Sequence, residues 1–367
     1  MNKKKIYHIH TDFKFLYDSQ RFESELFENQ LIFIGEKVEN NAAYHDSAIF
    51  YPNSEQSMPA ILKVIEDADL VVLYDLCDFK KGLLKKMPSQ IKVAWRFFGY
   101  EYYGTRRDLM LTKKTLDIVE NRKKFKSAIF YKLNLFLKFR KRRYLDSKDL
   151  KVVKKIDYIL LFSNEEYLYL KKYWHVPQLI LLNLDFHFDE TYYNKTDSLI
   201  IGNSRNIYNN HIDILDIIIS GNFKKYIFNF FLSYGAKGAY FENVTEIAEK
   251  EENINLITDF LSKDNFEHIY TTSAALVINS HRQMALGNIF TAVKYGLKIY
   301  LNDKNAIKNG LTANGIMISS VSDLKKDLTE NNIKLTHSEM ISNIKNFNRI
   351  SEVYTKEMFC SKINKLL

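Results

Sequence analysis

The feature that most constrains this chain is a set of short, wholly apolar runs that each stop at a small polar residue or a glycine. "LVVLYD" ends at Asp75, "YILLFS" at Ser163, "LIIGNS" passes through Gly202, "ALVINS" ends at Asn279-Ser280 and "KIYLND" at Asn302-Asp303. Four to six apolar residues without polar alternation describe a strand buried on both faces. Between the runs lie stretches with helical apolar spacing, such as "SMPAILKVIEDAD" with Pro59 near its start, and "IDILDIII" after His211. Strands alternating with helices predict α/β domains whose parallel sheets are covered on both sides.

Two such series are present. The first runs from Ile6–His10 through "FENQLIFIGE", "LVVLYDL", "IKVAWRFFG", "DYILLFS" and "QLILLNL"; the second runs from Leu199 through "YIFNFFLSYG", "INLITDFLS", "AALVINS", "LKIYLND" and "GIMIS". A polar stretch without periodicity, "DETYYNKTD" at 189–197, separates them. At 367 residues, two cores are expected. The expected division is an N-terminal Rossmann-like domain over 1–195, a C-terminal one over 196–340, and a helical tail over 341–367 that crosses back to the first domain.

The two cysteines, Cys77 and Cys360, have neither metal spacing nor a disulfide framework, which fits a reducing cytoplasm. The start "MNKKKIYHIH" lacks an apolar stretch of signal-peptide length, and no segment offers ~18 to 20 uninterrupted apolar residues for a membrane span. The net charge of +9 is concentrated: residues 106–156 hold 18 Lys+Arg against 5 Asp+Glu, leaving the remainder slightly acidic. Within 120–155, Phe125, Ile129, Phe130, Leu133, Phe136 and Leu137 recur at three- and four-residue spacing among Lys and Arg. This pattern is that of a basic amphipathic helix. It suits an anionic membrane surface, and equally a core-facing helix with a solvated basic side. Nucleic-acid binding has only charge and aromatics in its favour and is not expected.

In open α/β sheets, ligands bind outside the carboxyl ends of the strands, and the polar residues fall there. In the second series Gly202-Asn203-Ser204 follow a strand, and Asn209, Asn210 and His211 open a helix. A glycine turn and a helix N-terminus suit phosphate; the same residues also make an ordinary capped turn. Tyr234-Gly235 close a second strand. "SHRQMALGN" closes a third, with Arg282 and Gln283 as phosphate partners and Gly287-Asn288 opening a helix. Three such loops in one domain point to a pocket for a nucleotide diphosphate.

In the first series His10 and Asp12 sit at the end of the first strand, and Asp75 ends another. "WRFFGYEYYG" sets Trp95, Arg96, Tyr100 and Glu101 around Gly99. A strand-end carboxylate or histidine can act as a base, bind a sugar hydroxyl, cap a helix or sit hydrogen-bonded in the core. The aromatics can stack on sugar rings or pack inside. No Walker loop, dinucleotide fingerprint, HExxH, CxxC or GxSxG occurs, and none of these strand ends carries the Asp-x-Asp element of metal-dependent sugar transferases. No metal and no cofactor are expected.

In order and spacing, "LIIGNSRNIYNNHIDIL", "FLSYG" and "SHRQMALGNIFTAVKYGLKIYLNDKN", with "YHIHTD" and "WRFFGYEYYG" before them, resemble the bacterial 4-acetamido-4,6-dideoxygalactose (Fuc4NAc) transferases, glycosyltransferase family fifty-six. The resemblance implies a GT-B fold of two Rossmann-like domains facing a central cleft. It implies transfer of a sugar, such as a dTDP-linked amino-deoxy sugar, to a lipid-linked or surface-polysaccharide acceptor of capsule or O-antigen type. The site of action would be the inner face of the cytoplasmic membrane. By position, Gly202, Asn203, Ser204, Asn210, His211, Tyr234, Gly235, Arg282, Gln283 and Gly287 would form the donor side, joined by Asn288. Trp95, Arg96, Gly99 and Tyr100 would line the acceptor side, with Glu101, Asp12 and His10 as catalytic groups. The family's loop carries Gly-Ala-Asp-Leu-Tyr where this chain has Gly99-Tyr100-Glu101-Tyr102-Tyr103, an acidic residue one methylene longer. A different class of function remains open at this level: a non-catalytic nucleotide- or glycan-binding partner of a polysaccharide assembly complex.

Overall fold

A computed structural model describes residues 3–36, 48–104, 106–120, 137 and 151–367. Among them, strands β1 (Lys4–His10), β2 (Phe27–Ile34), β3 (Ala48–Tyr51), β4 (Leu70–Tyr74), β5 (Lys92–Arg96), β6 (Tyr158–Leu161) and β7 (Gln178–Leu181) form one sheet. Its order is β3-β2-β1-β4-β5-β6-β7, and every pairing is parallel. Strands β8 (Ser198–Ile201), β9 (Ile227–Phe231), β10 (Ile254–Ile257), β11 (Ala275–Ile278), β12 (Lys298–Leu301) and β13 (Ile318–Ser320) form a second parallel sheet, in the order β10-β9-β8-β11-β12-β13.

The apolar runs are the strands, for the reason their composition gives: β4, β6, β8, β11 and β12 are buried along their whole length. β3 is the one strand that the pattern did not announce. Its four residues are all half-buried at a sheet edge, so neither a full apolar run nor an alternation marks it.

The described residues divide into two compact units, one holding those up to 104, 151–185 and 351–367, the other holding 106–120, 137 and 186–350. This division differs from the expected one in three places. The chain leaves the first unit at 185 rather than near 195, it returns there at 351 rather than 341, and residues 106–120 pack with the second unit, although they lie far upstream of it in sequence. The physical reason is apolar: Ile118 and Val119 pack on the second unit's core beside Ile212, Leu215 and Tyr240. The last helix, Lys356–Leu366, does return to the first unit, where Phe359, Cys360 and Ile363 join Ile6, Phe22 and Tyr74 in its core. Thr355 caps it by accepting the Met358 N–H.

Most of the basic segment 120–155 lies outside the described residues, and its reading as an amphipathic helix with it. Among the described residues, no helix is long and apolar enough to cross a membrane. In each sheet the strand order reverses once, at β1/β4 in the first and at β8/β11 in the second. Beyond the carboxyl ends of such a pair the two crossovers diverge and leave a crevice.

Candidate functional site

In the second unit, Gly202 leaves β8 with φ +69°, a left-handed turn that favours glycine. A Cβ there would lie 2.6 Å from His211 Nε2 and 3.4 Å from the Asn209 side chain, so the missing methyl admits both. The loop is tied to the end of β9: the Arg205 N–H donates to Tyr234 O at 2.9 Å, and Asn203 Nδ2 donates to the Tyr234 hydroxyl at 2.5 Å. Asn209 Nδ2 closes the turn on Ser204 O at 2.9 Å.

His211 is fully buried, and burial pushes its pKa down to about 3, so the ring is neutral at physiological pH. The Tyr240 hydroxyl accepts the His211 backbone N–H at 2.7 Å and lies 3.3 Å from Nδ1 of the same ring. Nε2 is buried, without a protein partner and against the Gly202 turn. Asn209 Oδ1 and Arg205 Nε in the same loop are also buried without hydrogen bonds. Unsatisfied buried groups of this kind are rare in finished structures and mark places where a ligand or water completes the bonding.

The third loop supplies charge. Arg282 lies 5.0 Å above the Tyr208 ring, and its charge acts on Tyr208 and Tyr234 together. The helix Leu286–Lys294 then starts after Ala285, whose φ of +60° is left-handed, and no side chain caps its first N–H groups. Gly287 sits in its first turn with open space where a Cβ would be. Two expected donor residues have other work. Asn210 is fully buried and ties segments together, accepting from Thr112 N at 2.9 Å and donating to Asn279 O at 3.0 Å. Asn288 donates to the Tyr270 hydroxyl at 2.7 Å. Both amides build the pocket rather than face it.

The first unit's crevice is different in kind. Asp75 leaves β4 with φ +73°, a conformation Asp tolerates because its Oδ1 accepts the Cys77 N–H two residues on, at 2.8 Å. Its Oδ2 pairs with Lys80 at 3.0 Å and accepts from Thr11 at 2.6 Å. Lys80 is fully buried; it also donates to Thr11 at 2.9 Å and to Tyr74 O. Burial pulls its pKa down against the opposing pull of Asp75.

Gly99, with φ +94°, precedes the short helix Tyr100–Tyr103 and sets Glu101 on its first turn. Glu101 is pushed up to about 7, first by burial and further by the Asp75 charge, against the backbone N–H groups of Glu101 and Phe98. Its Oε1 accepts weakly from Phe98 N at 3.4 Å, and Oε2 is buried without a partner. A carboxylate that holds its proton near neutral pH is suited to general base or acid work. Tyr100 is half exposed beside Asp75, its phenol raised by burial and by the Asp75 and Glu101 charges.

The other first-unit expectations fare less well. Trp95 is fully buried against Phe97 and Trp174, with no surface to offer a sugar. Arg96 is buried as well: its Nε donates to Asp18 at 2.9 Å and its Nη1 to Phe97 O at 2.8 Å, so it holds the interior together. Asp12 is exposed and caps the 3-10 segment Phe13–Phe22 through Lys14 N. His10 is buried and stacked on Tyr74 at 3.8 Å, with both ring nitrogens lacking a partner. Burial, with His8 and Lys80, holds it well below the usual histidine range, which makes it a poor proton acceptor. Lys80 escaped sequence reading because a lysine in "DFKKGLLKK" reads as a solvated helix face. One literal Asp-x-Asp exists, Asp67-Ala68-Asp69, but it precedes β4 at the sheet's other end. Tyr7 and Lys5 occupy Asp67, and Lys4 and the Lys5 N–H occupy Asp69.

No family model matches the chain, and no curated protein matches it in sequence. Solved structures do match its architecture. The sucrose-phosphate synthase of Thermosynechococcus elongatus aligns with a TM-score of 0.61 at 10% identity, over 99% of this chain and 98% of that one. The N-terminal domain of the Candida albicans trehalose-6-phosphate phosphatase gives 0.65 at 11%, over 99% and 96%. The pneumococcal O-GlcNAc transferase GtfA, solved with UDP and GlcNAc, gives 0.56 at 10%, over 100% and 99%. At such identities the likeness is one of fold, and the two parallel-sheet α/β domains of this chain are those of the GT-B architecture.

Proposed function

We propose that this protein is a glycosyltransferase that takes a sugar from a nucleotide diphosphate and passes it to a saccharide hydroxyl. The observation that carries the reading is the convergence, at the β8/β11 switch of the second unit, of three polar loops around a buried glycine turn. There, unpaired polar atoms, Arg282 and an uncapped helix N-terminus offer donors and positive charge but no carboxylate of their own. Such a site stabilises the negative charge that develops on a departing nucleoside diphosphate. That charge is met by arginine and backbone N–H groups, without a metal. The structures of similar fold include a sucrose-phosphate synthase and an O-GlcNAc transferase holding UDP, which fits this assignment.

In the first unit, Glu101 is the base that takes the proton of the acceptor hydroxyl. Asp75, Lys80 and Thr11 form the charged frame beside it. The resemblance of the loop sequences to the Fuc4NAc transferases makes a dTDP-linked amino-deoxy sugar the first donor to try. A lipid-linked or surface-polysaccharide saccharide is the matching acceptor class, met at the membrane's inner face through the basic segment 120–155.

The test is a thermal-shift panel of UDP, dTDP, GDP and CMP, followed by hydrolysis and transfer assays with the corresponding sugars. Stabilisation by one nucleotide and slow hydrolysis of its sugar conjugate are expected. Nucleotide binding without turnover across many acceptors would replace the enzyme with a binding partner; no nucleotide binding at all would remove the reading.

A further inference from the structure

Residues 106–120 form a strap that belongs to the second unit although they come from the sequence of the first series. The strap is fastened at consecutive points to the loops of the candidate pocket. His281 Nδ1 donates to Leu109 O at 3.0 Å. The Thr112 N–H donates to Asn210 Oδ1 at 2.9 Å, and its hydroxyl donates to Asp213 at 2.5 Å. Lys114 pairs with Asp216 on the helix His211–Gly221, and Met110 and Leu111 are buried.

What the strap carries is Arg107. It is exposed, two residues before the Leu109 carbonyl that His281 holds, and its positive charge pulls the Tyr208 phenol down against burial, as does that of Arg282, 5.0 Å over the same ring. Two cations from distant parts of the chain thus act on one phenol, in the loop that begins at Gly202. Like charges brought toward one place repel, and it is the strap's anchors that hold Arg107 on this side of the unit. An anion placed against both would relieve that repulsion, and arginine's fork matches the paired oxygens of phosphate.

We infer that Arg107 is a phosphate-binding residue, gripping with Arg282 the diphosphate of a nucleotide ligand in the second unit. The inference rests on the reading of that unit as the nucleotide site and adds to it a residue from outside its sequence series. Its folding cost is small, because an exposed arginine away from the core can be removed with little loss of stability.

Calorimetric titration of the full chain, wild type and Arg107→Ala, with UDP, dTDP, GDP and separately with inorganic pyrophosphate tests it. Binding of the preferred nucleotide should weaken about 10- to 100-fold in the variant. Binding of the matching nucleoside should be unchanged, and Arg107→Lys should fall between. A variant that binds the nucleotide as tightly as wild type overturns the role of Arg107 and leaves the nucleotide site standing. A wild type that binds pyrophosphate but no nucleotide, with that binding lost in the variant, supports Arg107 and overturns the nucleotide reading instead. A wild type that binds neither overturns both.

Discussion

The two units share a plan and differ in chemistry at the same topological place. Each has a parallel sheet whose order reverses once, and each crowds polar residues beyond the strands at that reversal. In the first unit the crowd is two carboxylates and an amine: Asp75 and Lys80 form a buried ion pair, and buried Glu101 is pushed up to about 7. In the second it is amides, hydroxyls, a neutral histidine and arginine, groups whose charge does not change near neutral pH. The difference teaches a division of labour. A unit built from titratable groups can move a proton, whereas one built from fixed donors can hold a constant negative charge.

The largest expected effect breaks the first half of this comparison. Glu101→Gln should lower turnover by about 10²- to 10⁴-fold, the range for loss of a general base, with nucleotide affinity in the second unit unchanged. Wild-type turnover should rise with pH through about 7 as the Glu101 carboxyl ionises. The same variant should gain stability in alkali. Because the folded pKa is raised from 4.5 to about 7, the contribution of this carboxyl is fully present below 4.5 and lost as pH rises through 7. Glutamine removes that loss, so the melting temperatures of variant and wild type should diverge in the variant's favour at pH 8. A variant that turns over at the wild-type rate would take Glu101 out of the chemistry.

Next in size is Lys80→Met, which leaves the Asp75 carboxylate buried without its ammonium partner. Breaking a buried pair on one side costs about 3–5 kcal/mol, whereas Asp75→Asn with Lys80→Met removes both charges and should recover part of that loss. Denaturant unfolding of the two variants measures the difference. Equal losses would mean that Lys80 matters through packing alone.

Much of this was legible in the sequence, and the limits are physical. Among the described residues, twelve of the thirteen strands lie in the expected runs, and the fully buried ones carry the clearest apolar signature. The C-terminal tail was legible as a helix from its apolar spacing; that Phe359, Cys360 and Ile363 join the first unit's core is a matter of long-range packing, which spacing does not show. Strand ends located the polar loops, but a loop sequence does not say which side chains turn inward. Asn203 and Asn210 look alike in "GNSRNIYNN"; one meets a neighbouring loop's hydroxyl, the other is buried as a strut. Trp95 and Arg96, expected on the acceptor side, are interior. The strap's allegiance was illegible because it depends on contacts with helices about 100 residues further on, and sequence order placed it with its neighbours.

The smaller predictions sharpen the second unit. Gly202→Ala meets a left-handed φ and places a methyl 2.6 Å from His211 Nε2. Left-handed strain in a non-glycine residue costs about 1–3 kcal/mol, and the displaced histidine should weaken nucleotide binding as well. A stable variant with unaltered affinity would show that the turn is not held for the ligand.

Smallest is Tyr234→Phe, which leaves the Asn203 amide without its hydroxyl acceptor but keeps the ring. Each neutral hydrogen bond of that hydroxyl contributes about 0.5–1.5 kcal/mol, a small loss for the folded state. The informative measurement is affinity. If the bond between the two loops pre-assembles the phosphate turn, the nucleotide must order that turn on arrival, and its dissociation constant should rise severalfold. If Asn203 instead swings onto the ligand once released, affinity should hold or improve. In that case the fixed-donor description of the second unit needs one mobile member.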